Sequence, residues 1–146
     1  MPRILAVDWG ERRIGLAVCD PLGVLASGLP TLVVKGEGEA VARVADTVRE
    51  HEVEELVVGL PLTLAGERGE SARAAERFAD RLREATGLAV HLFDERLTSA
   101  LAQRRLHETG ERVRNRKGRV DEGAAVALLE GWLARERYRR EREGGE

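Results

Sequence analysis

The sequence predicts an α/β domain: one mixed five-stranded sheet, three antiparallel strands followed by two parallel ones, flanked by helices. Three observations predict it. Three short apolar runs with brief connections open the chain, the pattern of an antiparallel meander. After them, stretches of 3.6-residue periodicity alternate with short runs that are apolar throughout, as parallel strands covered on both faces are. Finally, 146 residues with 42% hydrophobic content fit one domain with a core of useful size.

The elements follow in order. Arg3 to Asp8 (RILAVD) is an apolar run stopped by a carboxylate, and Ile14 to Asp20 (IGLAVCD) is a second, with a turn over Trp9 to Arg13 between them. Gly10 and Gly15 frame that hairpin, where a tight turn needing glycine is favoured over a phosphate contact. Trp9 is read as core rather than as a base-stacking platform, and Cys19 as a buried small residue. Asp20 is assigned to a turn because Pro21 and Gly23 follow it. Leu25 to Val34 makes the third strand, broken near Gly28 and Pro30. Val41, Val44, Ala45 and Val48 then form one helical stripe.

Leu56 to Leu60 (LVVGL) is the fourth strand, and Pro61 to Gly69 a loop. Ala75, Phe78, Ala79 and Leu82 mark a second helix, closed by Gly87. Ala89 to Phe93 is the fifth strand, ending in Asp94-Glu95. A third helix is expected from about Thr98 to His107, capped by Thr98 or Ser99. Glu111 to Val120 lacks periodicity and is read as a loop. Ala125, Leu128, Leu129, Trp132 and Leu133 are the stripe of the last helix. The mixed charges after Arg135 and a Gly-Gly near the end predict fraying. The domain is therefore set at residues 1–138, with 139–146 a charged, flexible tail.

Composition narrows the function. No apolar run approaches the roughly 20 residues of a spanning helix, and the first residues lack the pattern of a signal peptide. One cysteine excludes an internal disulfide and zinc sites built on paired cysteines, which fits a cytoplasmic protein. The three histidines, His51, His91 and His107, have no metal-ligand spacing. Of 24 basic residues, 22 are arginine. Genome base composition and phosphate recognition by the guanidinium fork explain this equally well.

Four carboxylates differ from ordinary surface acids. Asp8 closes the first strand, Asp94 and Glu95 close the fifth, and Asp121 sits four residues before Ala125 at the head of the last helix. Convergent carboxylates would repel one another and raise their own pKa values. Mg²⁺ or Mn²⁺ resolves the repulsion, and two such ions activate a water and stabilise a leaving oxygen of a phosphodiester. Structural readings stand beside this one: strand-end acids accept turn hydrogen bonds, and Asp121 suits a helix N-cap.

LAVDWGERRIGLAVCD (Leu5 to Asp20), VVGLPLTLAGERG (Val57 to Gly69), FDERLTSALA (Phe93 to Ala102) and VDEGAAVALLEGWL (Val120 to Leu133) together resemble the YqgF, or RuvX, family. The motifs stand in the family's order and cover nearly all the chain except its tail. The resemblance implies an RNase H-like fold, kinship with the RuvC Holliday junction resolvases, and a nuclease acting on precursor ribosomal RNA or on branched DNA. It implies that Asp8, Glu95 and Asp121 are catalytic and hold two Mg²⁺ or Mn²⁺ ions, with Asp94 the open member of its pair. Thr98-Ser99 stands where the family often has two threonines, and Glu122-Gly123 where Lys-Leu is frequent.

The charge of the segment joining these acids sharpens the picture. The whole chain carries −2, yet Arg96, Arg104, Arg105, Arg112, Arg114, Arg116, Lys117 and Arg119 outnumber Glu108 and Glu111 between Arg96 and Val120. A polyanion beside the metals would need such countercharge, so Arg96, Arg112, Arg114, Arg116, Lys117 and Arg119 are the expected nucleic-acid contacts. Arg96 is equally well a structural partner of the neighbouring carboxylates. The loop of residues 61–69, with Gly66 and Gly69, serves either as a plain connection or to bring backbone N–H groups to phosphates. The expected function is 5′-end processing of the small-subunit rRNA precursor. Junction resolution and non-catalytic binding of rRNA or nucleotide are the alternatives, the last because Asp8-x-Gly10 resembles the phosphate hairpin of the actin and sugar-kinase superfamily. A monomer and a homodimer are both compatible with the sequence.

Overall fold

The computed structural model describes residues 2–61, 69–94 and 117–144, with backbone alone for 117–122 and 144. Alternation along the first strand, β1 (Ile4–Asp8), sets the architecture. Leu5 and Val7 point into one apolar core, Ile4 and Ala6 into another on the opposite face. Such a strand must be covered on both sides, and it lies at the centre of the sheet. Its neighbours are β2 (Arg13–Cys19), antiparallel, and β4 (Glu55–Leu60), parallel. β3 (Ala26–Val33) pairs antiparallel with β2, and β5 (Ala89–Asp94) parallel with β4. The order is β3-β2-β1-β4-β5, the expected three antiparallel and two parallel strands. β3 runs as one strand through Gly28 and Pro30, and the expected break is a shift of register, with Leu32 opposite Ile14 but Leu29 opposite Leu16. It is an edge strand, where a proline nitrogen need not donate to a neighbour.

Two helices cover one face. α1 (Glu37–Glu50) buries Val41, Val44, Ala45 and Val48, and α2 (Glu70–Thr86) buries Ala75, Phe78, Ala79 and Leu82, the two stripes expected from their spacing. α2 stops where Gly87 takes a left-handed conformation, φ 71°, and its N–H donates to the Arg83 carbonyl. The other face is covered by α3 (Lys117–Gly144), through Ala125, Leu128, Leu129, Trp132 and Leu133. Cys19 is buried there, its sulfur accepting the Ile4 N–H.

α3 departs from expectation at both ends. It starts at Lys117, inside the segment read as a loop, so Asp121 is its fifth residue and not an N-cap. It also continues to Gly144, so residues 139–144 of the expected tail are helical. Apolar periodicity reports only the turns that pack on a core. The turns after Leu133 are rich in arginine and glutamate, which are good helix formers, and Glu136 pairs with Arg139 one turn on. The helix expected over Thr98 to His107 lies outside the described residues.

Candidate active site

Because β1, β4 and β5 run parallel, their carboxyl ends share one rim. The register pairs Val7 with Val58, Gly59 with Phe93 and Leu60 with Asp94. Asp8 therefore stands level with Phe93, two strands away, and Asp94 one residue further out. The faces differ. Asp8 alternates with Val7 and falls in line with Ile4 and Ala6, on the side of α3. Asp94 falls in line with Val90 and Leu92, which pack on the α1–α2 side, whereas Phe93 packs against α3. Position 121 lies one helical turn before the buried Ala125.

Of the residues expected at the site, Asp8 and Asp94 are thus brought to one rim, on opposite faces. Glu95, Arg96, Arg112, Arg114 and Arg116 lie outside the described residues, and Asp121, Lys117 and Arg119 are placed as backbone on α3. Among the described residues no group of three or more His, Cys, Asp or Glu side chains is gathered for a metal ion. His91 is engaged otherwise: its Nε2 is 2.7 Å from Glu55 and its ring stacks on Trp132 at 4.7 Å.

The turn after Asp8 is held rigidly. Trp9 leans on Phe78 of α2, ring centroids 5.8 Å apart, in the packing role expected for it. A Cβ on Gly10 would lie 2.7 Å from the carbonyl oxygen of Arg13, so only glycine lets the hairpin close this tightly. Asp20, at the far end of β2, is a turn residue as expected. Its carboxylate accepts the N–H groups of Val24 and Leu25, which hold its pKa below the ordinary carboxylate value.

In front of Asp8 opens a cavity of about 700 Å³. Trp9, Gly10 and Glu11 line it, together with Pro61 and the first two turns of α2, including Arg73 and Arg77. Sequence spacing alone puts no part of α2 at the site. Arg73 and Arg77 are four residues apart on that helix's wet face, a spacing visible in the sequence. That this face borders Asp8 depends on how α2 docks.

Comparison with known proteins decides the family. The model of the family described as "RuvX: Holliday junction resolvase" matches residues 2–135. The chain belongs to the RuvX family. Relatives named "Putative pre-16S rRNA nuclease" include one from Anaeromyxobacter dehalogenans (strain 2CP-C), 48% identical over 91% of this chain and 97% of its own. Another, from Nocardia farcinica (strain IFM 10152), is 46% identical over 90% and 77%. Among solved structures, Thermus thermophilus RuvC in complex with a Holliday junction substrate superposes with a TM-score of 0.59. It is 20% identical, over 93% of this chain and 96% of that one, a likeness that shows the RNase H-like fold. RuvX membership sets the reaction class, hydrolysis of phosphodiester bonds, and with it the binding of nucleic acid and dependence on divalent metal.

Proposed function

We propose that this RuvX protein trims the 5′ end of the precursor of 16S rRNA, with Asp8, Glu95 and Asp121 as the metal-holding carboxylates. The observation that carries the site is the placement of Asp8 at the carboxyl end of the central strand, on the α3 face and beside the cavity. The identity of 46–48% with relatives named for pre-16S rRNA supports the substrate. Asp94 falls on the α1–α2 face. That face is opposite the one on which Asp8 falls, which favours Glu95 over Asp94 as the ligand. Asp121 enters one turn before the residues that pack α3 onto that face.

The donor chemistry fits Mg²⁺ or Mn²⁺, since carboxylate oxygens are the hard ligands such ions prefer. Two bound ions would supply an activated water and stabilise the departing oxygen. The chain's own part is positional. Trp9 and Gly10 fix the turn that carries Asp8 out of the sheet, and the two core faces hold β1 and α3 in register. Arg96, Arg112, Arg114, Arg116, Lys117 and Arg119 would supply countercharge to the nucleic-acid backbone without reading its sequence. The family's description favours a second reading, resolution of a Holliday junction, for which a homodimer would match a two-fold symmetric substrate.

The test offers purified protein a 5′-extended 16S rRNA precursor and a four-way DNA junction, each with Mg²⁺, Mn²⁺ or EDTA. Metal-dependent cleavage of the precursor is expected, with little or none of the junction; the reverse preference would establish the resolvase. Binding of either without cleavage would make the protein a non-catalytic factor. Arg114→Glu/Arg116→Glu should weaken binding and flatten its dependence on salt, by about one unit of log–log slope for each phosphate no longer neutralised. An unchanged slope would remove these residues from the interface.

A further inference from the structure

The cavity in front of Asp8 has a wall that the carboxylates do not explain. Arg73 and Arg77 stand one turn apart on α2, both exposed and both lining the cavity. The other exposed arginines of α2 are engaged: Arg81 pairs with Glu37 at 3.2 Å and Arg83 with Asp80 at 2.6 Å. Arg73 and Arg77 have no ion pair or side-chain hydrogen bond among the described residues. Two guanidinium groups left unpaired opposite an aspartate are ill explained as helix stabilisers. Glu70 offers a carboxylate one turn before Arg73, yet the two do not pair. The start of α2 adds a field of the same sign, since Gly69 supplies no side-chain cap to the first N–H groups.

Resting on the nuclease reading above, we infer that Arg73 and Arg77 grip the phosphate backbone of the nucleic acid on the α2 side of Asp8. The substrate strand would then cross the rim through this cavity, with Asp8 on one wall and the two arginines on the other. Planar guanidinium forks bind phosphate oxygens in pairs, and a separation of about 5–6 Å between their Cβ atoms lets both address one short stretch of backbone. Glu11 and Glu70, also on the lining, would keep the cavity from binding anions indiscriminately. These two arginines are separate in the sequence from the basic residues between Arg96 and Val120.

The experiment compares wild type with Arg73→Ala/Arg77→Ala, with Arg73→Lys/Arg77→Lys, and with Arg137→Ala/Arg140→Ala. The last removes equal charge from exposed positions of α3 beyond its last buried residue, Leu133. Affinity for a fluorescent precursor-rRNA hairpin and for a four-way DNA junction is measured in EDTA across a salt series, and cleavage with Mg²⁺. The alanine pair should weaken binding of the cleaved substrate on the order of tenfold or more and lower the log–log salt slope by about 1–2. The lysine pair should keep the slope and lose part of the affinity. The α3 pair should change neither. Wild-type affinity and slope in the alanine pair, with cleavage intact, would overturn the inference and leave the nuclease standing. Abolished cleavage with an unchanged slope would overturn it too, as a structural effect. If wild type neither binds nor cuts either nucleic acid, the nuclease reading falls first and this inference with it.

Discussion

Gly10 is where one atom has the most leverage on the site. Any side chain there meets the Arg13 carbonyl, a backbone atom that cannot swing aside. Gly10→Ala should therefore cost about 1–3 kcal/mol, read from denaturant unfolding, and lower cleavage by shifting the turn that carries Asp8. Asp20 gives a residue-scale prediction in pH. Its folded pKa is lowered by two backbone donors, so its contribution is present above the unfolded value of about 3.9 and lost as pH falls through the folded value. The gap in melting temperature between wild type and Asp20→Asn should persist at neutral pH and close in acid. These roles are partly legible in the sequence. The glycine of the hairpin and the turn after Asp20 follow from residue type and spacing. The cavity wall of Arg73 and Arg77 does not, because it arises only when α2 docks across β4 and β5.

At the scale of elements, apolar runs and spacing predict each described strand and all three described helices, and all but the edge strand β3 bury side chains in a core. It fails at the ends of α3, where the helix runs beyond its packed turns, with Glu136 and Arg139 paired at the C-terminal end. Residues 117–120, before Asp121, are helical as well. Two substitutions test how elements are fixed. Gly87→Ala forces a left-handed φ on a side chain and should cost about 1–2 kcal/mol, although a Cβ there meets nothing. Phe78→Ala empties the centre of the α2 packing and removes the ring on which Trp9 leans. It should cost about 3–5 kcal/mol, and the surviving folded fraction should cleave more slowly than its reduced stability explains.

Over the whole molecule, two cores lie on either side of one sheet, and the strand that both of them cover ends in Asp8 beside the cavity. A net charge of −2 conceals an uneven distribution along the chain: basic residues outnumber acids between Arg96 and Val120, and two further arginines of α2 line the cavity beside Asp8. No helix among the described residues is long and apolar enough to cross a membrane. The central claim is that Asp8 holds the metal on which hydrolysis depends. Single-turnover cleavage by Asp8→Asn, with its melting temperature and EDTA binding isotherm checked against wild type, tests it most directly. The expected result is a folded protein that binds as wild type does but cleaves at least on the order of 10²-fold more slowly, at any Mg²⁺ or Mn²⁺ concentration. Cleavage at the wild-type rate by that variant would contradict it.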